Sequence, residues 1–402
     1  MSGPLPARLG IAVSGGGDSL ALLHLAAEWS RDTDIAVAAV TVDHGLRPEA
    51  AAEARHVAGI CGRLDIPHTI LRWQGWDGRG NLQDVARRAR QRLIADWAAS
   101  QDIDTVALGH TADDQAETVL MRLSRGAGVD GLSGMTQRRT AHGVTWLRPL
   151  LSVSRQALRD YLTGLGESWI DDPSNEDPAF DRVKARRVLA ALAPLGIDTQ
   201  GLCAVADNLR DARAALEAQT LRAALDLVRI EAGDVVLNRA GLRDQPVEIS
   251  RRLMVHALKW VSSAEYGPRT AALRDVMHAL QKGRSATLHG CRLLRGRDDL
   301  RVCREYRAVR ETRGPTDALW DGRWRFSGPH DKGLALGALG VEGLRRCPAW
   351  RDTGLPRAAL SASPAVWRDG ELIAAPLAGV ANGWRAELAQ GPDSFFDTII
   401  SH

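Results

Sequence analysis

Apolar residues follow two alternating rhythms along the first 110 positions of the chain. Short, nearly unbroken apolar runs, "LGIAVS" (9–14), "IAVAAVTVD" (35–43), "HTILRW" (68–73) and "TVALGH" (105–110), are separated by longer stretches at about 18–30, 48–64 and 81–99. In the longer stretches apolar residues recur every three or four positions, the period of an amphipathic helix. The short runs have the length and continuity of strands buried on both faces. Their alternation predicts a doubly wound α/β domain, a parallel sheet with helices on both sides, because parallel neighbours need crossover connections. Ligands of such sheets bind beyond the carboxyl ends of the strands. Ser14 to Ser19, Asp43 to Arg47 and His110 to Glu117 are therefore the first segments to search for chemistry.

After "WIDDPSNEDP" (169–178) the pattern changes. A helical stretch rich in Ala, Leu and Arg is expected from about 181 to 227, followed by "DVVLNRAGL" and a second helical stretch near 246–282. A hairpin-like pair spans 285–305, and the last ninety residues, with many Gly, Pro and Trp, read as a small α+β or mostly β region. The expected division is a catalytic domain at 1–190, a helical domain ending in the hairpin at 191–310, and a small C-terminal domain at 311–402.

Composition narrows the class without naming a chemistry. With 402 residues, 45% hydrophobic and 25% charged, the chain has the balance of a globular protein of two or three domains. No segment approaches the roughly 18 uncharged apolar residues of a membrane span. "MSGPLPARLG" lacks the basic and apolar regions of an export signal. The expectation is a cytoplasmic protein without membrane contact. Cys61, Cys203, Cys291, Cys303 and Cys347 are scattered and form no CxxC pair, which disfavours zinc, iron–sulfur ligation or a disulfide framework. Net charge is +3, yet residues 251–350 hold 20 Lys+Arg against 10 Asp+Glu, and the rest of the chain holds 32 against 39. That asymmetry points to an anionic partner for the later part of the chain.

The most specific local signal is "AVSGGGDSL" (12–20), three glycines between a strand and a helix. Glycines let the backbone turn through positive φ and approach a ligand closely, and N–H groups at a helix N-terminus attract phosphate. No GxxxxGK[ST] is present, so the lysine that reaches β- and γ-phosphates in a Walker loop is missing. GxGxxG is absent too, which weighs against a dinucleotide fold. The loop resembles the SGGxDS pyrophosphate loop of the N-type ATP pyrophosphatases, the PP-loop superfamily.

Five further stretches narrow the resemblance. "VDHGLRPEAAAEA" (42–54), "NLQDVARRAR" (81–90), "GHTADDQAETVLMRLSRGAGVDGLSGM" (109–135), "RPLLSVSR" (148–155) and "DDPSNEDPAFDR" (171–182) resemble, in order and spacing, the tRNA(Ile)-lysidine synthetase family. The likeness is close over residues 8–190 and looser beyond. One position departs from it: the family continues "RNxIR", whereas this chain reads "RVKAR" (182–186), with Val183 in place of asparagine.

The resemblance implies ATP and Mg²⁺ as cofactors, and tRNA(Ile) with a CAU anticodon and L-lysine as partners; a homodimer is a possible assembly. It implies that Ser14, Gly15, Gly16, Gly17, Asp18 and Ser19 hold pyrophosphate, and that Val42, His44, Arg47 and His110 complete the nucleotide site. Asp18, Asp114, Glu117 and Arg182 would be catalytic, with Asp18 and Asp114 near the metal and Arg148 a phosphate or tRNA contact. The residues also allow plainer readings. Thr111 with Asp114 fits a capping box, Asp113 an acidic first turn, and His44 and His110 packed strand-end histidines. Two rival functions are a tRNA thiolase of the same superfamily, which needs reactive cysteines, and an RNA-binding regulator that binds ATP without turnover.

Overall fold

A computed structural model describes residues 6–45, 50–73, 82–171, 177 and 179–400, with residues 82–84 as backbone only. The chain divides into two compact units, Met1–Arg213 and Ala214–His402.

The first unit runs β1 (Arg8–Ala12), α1 (Gly17–Arg31), β2 (Ala36–Asp43), α2 (Ala50–Arg63), β3 (His68–Arg72), α3 (Leu82–Ser100), β4 (Thr105–Leu108) and α4 (Ala112–Leu123). There follow a single turn α5 (Val129–Leu132), β5 (Arg138–Ala141), β6 (Val144–Leu147), α6 (Arg155–Gly164) and α7 (Asp181–Leu192), and then α8 (Thr199–Leu227), which crosses the boundary between units. Every strand and helix expected in the first 110 residues is present, with ends shifted by one or two positions.

The sheet order is β3-β2-β1-β4-β6-β5. All pairings are parallel except β5 with β6. That antiparallel hairpin was not anticipated, and the signal for it is short: His142 and Gly143 both adopt positive φ (55° and 75°), the two-residue turn that matches strand twist. One face of the sheet packs Ile11, Val37 and Ala107 against Leu20 and Leu23 of α1, Val57 and Ile60 of α2, and Leu158 and Leu162 of α6. The other packs Ala12, Val40, Val106 and Trp146 against Ile94, Trp97 and Ala98 of α3. Burial on both faces is why the central strands are apolar without alternation. Truncating one of these fully buried leucines or isoleucines to alanine is expected to cost about 2–5 kcal/mol.

In the second unit, β7 (Val228–Glu231), β8 (Asp234–Asn238), α9 (Arg239–Asp244), α10 (Val247–Ser262), α11 (Thr270–Gln281), β9 (Ala286–Leu288), β10 (Cys291–Arg295) and β11 (Asp299–Arg304) build an antiparallel sheet of order β7-β8-β11-β10-β9. Leu253, Met254 and Leu258 of α10 and Leu273 of α11 close its core against Leu293 and Val302. Residues 306–397 contribute α12 (Tyr306–Val309), β12 (Arg313–Pro315), β13 (Trp324–Ser327), β14 (Ala335–Ala338), α13 (Gly340–Arg345), α14 (Arg357–Ala362), β15 (Pro364–Arg368), β16 (Glu371–Ala374), β17 (Arg385–Leu388) and α15 (Ser394–Asp397). Trp320, Trp324, Phe326, Val366 and Trp384 form a separate core there.

Two expectations need correction. The helix expected across 181–227 breaks after α7, where Pro194 and left-handed Gly196 (φ 75°) intervene. The stretch 246–282 is two helices, parted where Ser263 turns left-handed (φ 53°) ahead of Pro268.

Candidate active site

The chain leaves β1 at the carboxyl edge of the sheet, with the Val13 N–H bonded to the Val40 carbonyl at 2.9 Å. It turns at Gly15, whose φ of 88° disfavours any side chain, and enters α1 with Gly16 as N-cap and no side-chain cap bond. The N-terminal N–H groups of α1 are thus not capped by a side chain of the loop. Ser14 and Ser19 brace the turn: the Ser14 N–H donates to Ser19 Oγ at 3.1 Å, and Ser19 Oγ donates to the Gly16 carbonyl at 2.9 Å. Behind the loop, the Ile170 N–H donates to the Gly15 carbonyl at 3.0 Å. Gly109 closes the arrangement from the β4 side. A Cβ there would lie 2.9 Å from the Asp18 carbonyl oxygen, so only glycine lets the β4–α4 connection reach the first turn of α1.

That approach carries α4 up to Asp18. Thr111 caps α4 through a complete capping box, its N–H and Oγ donating to Asp114 Oδ2 at 2.9 and 3.1 Å. The capping reading of Asp114 is therefore right, and it leaves the other oxygen for chemistry. Asp114 Oδ1 accepts from Arg182 Nη1 at 3.1 Å and Arg155 Nη2 at 3.5 Å. Glu117, one helical turn on and 1% exposed, accepts from Arg186 Nε at 2.6 Å through Oε1. Its Oε2 is buried with no hydrogen-bond partner among the described residues. Asp113 faces elsewhere: its Oδ2 accepts the Arg155 N–H at 2.7 Å and so anchors the start of α6.

Burial would raise both Asp18 and Asp114, and the neighbouring cations decide between them. For Asp18 burial wins over Arg155, and its carboxyl lies above the usual range. For Asp114, Arg182, the Thr111 N–H and Arg155 together outweigh burial and hold it below that range. The carboxylate beside the glycine turn is the easier of the two to protonate.

Most of the remaining expected residues lie at the ends of the sheet's strands. Val42 lies on β2, next to β1. His44 follows it, half-buried, its ring edge-on to Trp73 at 6.0 Å, and burial and then Arg90 lower its pKa. His110 is pushed down to about 4 by burial, opposed by Asp114 and assisted by Arg148, Arg182 and Arg90, so it is a neutral imidazole near pH 7. Both histidines have a buried Nδ1 without a partner among the described residues. Arg148 is buried, donates to the Thr136 carbonyl at 2.9 Å, and is lowered to about 10, first by burial and then by nearby arginines. Val183 is buried within α7, between Arg182 and Arg186, which reach Asp114 and Glu117. Arg47, residues 172–176 and residue 178 lie outside the described residues.

Arg155 was not singled out by the sequence, where it appears only as the last letter of "RPLLSVSR". The structure gives it contacts with three of the expected acids: Nε bonds Asp18 Oδ2 at 3.1 Å, and its Nη atoms lie 3.5 Å from Asp114 and Glu117. A signal existed. An arginine opening a helix opposes the helix dipole and is misplaced unless carboxylates face it. Cys203 lies in the first compact unit, its Sγ 3.4 Å from the Ala112 carbonyl.

A family model described as a PP-loop domain matches residues 5–192. The tRNA(Ile)-lysidine synthase of Ruegeria pomeroyi is 53% identical over 397 residues, covering 99% of this chain and 95% of that protein. The enzyme of the same name from Wolbachia pipientis is 31% identical over 382 residues (92% and 88%), and that of Zymomonas mobilis is 40% identical over 292 residues (72% and 86%).

Proposed function

The chain belongs to the tRNA(Ile)-lysidine synthase family, and we propose that one site, built on Asp18, Asp114 and Glu117, joins free L-lysine to C2 of the wobble cytidine in the CAU anticodon of tRNA(Ile). It is a PP-loop enzyme that uses ATP to modify tRNA. The reaction proceeds in two steps. The C2 oxygen of the cytidine attacks the α-phosphorus of ATP, forming the P–O bond of an adenylated base as pyrophosphate leaves. The ε-amine of lysine then attacks C2, a C–N bond replaces the C–O bond, and AMP departs with the oxygen.

Each step asks for groups that this chain holds. The departing pyrophosphate carries charge that the backbone of Ser14, Gly15, Gly16, Gly17 and Ser19 and the positive end of α1 can stabilise without rearrangement. Val42, His44 and His110 flank the nucleotide in this reading, Arg47 being assigned to it by the family resemblance alone, and the neutral His110 imidazole can donate or accept a hydrogen bond without adding charge. Arg148 and Arg182 suit phosphate oxygens. The lysine ammonium must be gripped and then lose a proton. Glu117 carries this assignment: its Oε2 is a buried carboxylate oxygen with no partner, and an N–H donor is what it lacks. To enter the pocket the cytidine leaves the anticodon stack.

Among the described residues no group of three His, Cys, Asp or Glu side chains forms a metal cage. Mg²⁺ in nucleotide enzymes is held by one or two carboxylates together with substrate phosphates, and Asp18, partly exposed at the phosphate loop with one oxygen on Arg155, fits that mode. Asp18, with Asp114, would hold the ion, which when bound neutralises triphosphate charge.

The tRNA body is assigned to the basic region 251–350 and its surroundings, with 191–310 as the RNA-binding domain and 311–402 as the small C-terminal domain. A cavity of about 530 Å³ in the second unit, floored by Leu242, Leu273 and Met277, has the exposed Arg243, Arg274 and Arg295 on its rim. We place the reaction in the cytoplasm. Among the described residues no single helix is long and apolar enough to cross a membrane.

The curated relatives favour the synthase over the thiolase, and the thiols agree. Burial pushes Cys61 up to about 11 and, with Asp207 and Asp113, raises Cys203, the opposite of an activated thiolate. The test supplies the protein with ATP, labelled lysine, tRNA(Ile) and, in parallel, a sulfur donor. Label in the tRNA is expected; thiolation without label would overturn the reading.

A further inference from the structure

The acid cluster is balanced charge for charge by side chains of the protein. Asp18, Asp114 and Glu117 face Arg155, Arg182 and Arg186, and these six side chains are linked by ion pairs. Arg155 is the one that spans the cluster. It reaches Asp18 on α1 and both Asp114 and Glu117 on α4, its side chain 20% exposed and its backbone N–H fixed by Asp113.

The quality of these contacts is uneven. Arg182 and Arg186 hold Asp114 and Glu117 at 3.1 and 2.6 Å, whereas Arg155 stands 3.5 Å from each, at the outer limit of a hydrogen bond. Its well-made bond is with Asp18, beside the phosphate loop. The reaction proposed above brings ligands of opposite sign to the two ends of this one guanidinium. A triphosphate arrives on the Asp18 side, and an ammonium arrives at Asp114 and Glu117. A guanidinium fork matches phosphate oxygens two at a time, which an ammonium cannot do. A cation left at 3.5 Å from Glu117 would repel the incoming lysine.

We propose that Arg155 is a positioning residue that couples the two half-sites: it stands in for the lysine ammonium at Asp114 and Glu117 in the empty enzyme, and turns its fork to phosphate when ATP binds. Turning releases the two carboxylates to the ammonium, so nucleotide and lysine bind cooperatively and each raises the affinity for the other by the same factor. The inference rests on the functional reading above. It adds an order: lysine is admitted once the nucleotide is in place, which spares the cluster from filling with lysine before there is an activated base to attack.

Equilibrium dialysis of labelled lysine against the full chain, with Mg²⁺ and with or without a non-hydrolysable ATP analogue, reads the coupling directly. In the unaltered protein the analogue should tighten lysine binding by a factor in the range of about 5 to 150. In Arg155→Gln lysine should bind more tightly without the analogue than it does to the unaltered protein, and the ratio should fall towards one. Arg155→Lys, which keeps the charge without the fork, should retain part of the ratio. A purely structural arginine would instead weaken lysine binding equally with and without the analogue. Lysine affinity in the unaltered protein that ignores the analogue, or an unchanged ratio in Arg155→Gln, overturns the proposal. If Arg155→Gln does not fold, the unaltered protein and Arg155→Lys decide it. Failure of the functional reading looks different: no lysine is bound under any condition, and no label enters tRNA.

Discussion

Both units bury a carboxylate among guanidinium groups, and the two clusters differ in what they leave unfilled. In the second unit Asp234, 6% exposed, accepts from Arg301 at 3.0 Å, and Arg301 also pairs with Glu231. Arg229 ties Glu231 to Asp299, and Arg323 donates to the Gly233 carbonyl at 2.6 Å while lying 4.8 Å over the Trp260 ring. Burial pushes the Asp234 carboxyl up to about 7 against the pull of Arg301 and Arg323. These contacts pin the β7–β8 hairpin. In the first unit the pairing is as dense, yet Glu117 Oε2 has no partner; among the described residues it is the one buried carboxylate oxygen in that state. Buried ion pairs alone do not mark a site, since structural networks make them too. A buried acceptor kept open is a cost that a ligand can offset.

The contrast can be broken by substitution, beginning where the largest effect is expected. Asp18→Ala should reduce tRNA-dependent pyrophosphate release by about 10²–10³-fold, the scale of losing one electrostatic stabiliser at a reacting group. An unchanged rate would move the metal and leaving-group chemistry elsewhere. Asp234→Ala should act on stability instead. Removing a buried acceptor of Arg301, which keeps Glu231, should cost about 1–3 kcal/mol in urea unfolding, with turnover per folded molecule unaltered. If Asp234→Ala lowered turnover of the folded protein and left stability intact, the distinction between the clusters would fail. A smaller effect is expected at the rim of the second unit's cavity. Replacing Arg243, Arg274 and Arg295 by alanine should lower the slope of log affinity for tRNA against log salt by about 0.7–0.9 for each phosphate no longer neutralised, while ATP binding stays as it was. An unchanged slope would remove this face from the RNA-binding surface.

Much of the first unit could be read in the sequence because its signals are local. Three glycines, a capping box and continuous apolar strands each fix their own few residues, and from them follow the sheet, the glycine turn into α1 and the shared face of Asp114 and Glu117. What the sequence did not reveal is non-local. Arg155 meets Asp18 across 137 positions, brought there by the packing of α6 beside α1. The β5–β6 hairpin hid in two residues of turn. In the second unit β8 pairs with the distant β11, Asn238 opposite Asp299, and no short pattern encodes that partnership.

In the proposed reaction the open oxygen of Glu117 takes the lysine ammonium and is not needed to activate the base. The most direct test is Glu117→Gln, a near-isosteric change, assayed by digesting the tRNA after reaction and weighing its nucleosides. Pyrophosphate should still be released and adenylated cytidine should persist, while lysidine falls by about 10²–10³-fold. Lysidine formed at the unaltered rate, or both steps lost in equal proportion, would contradict it.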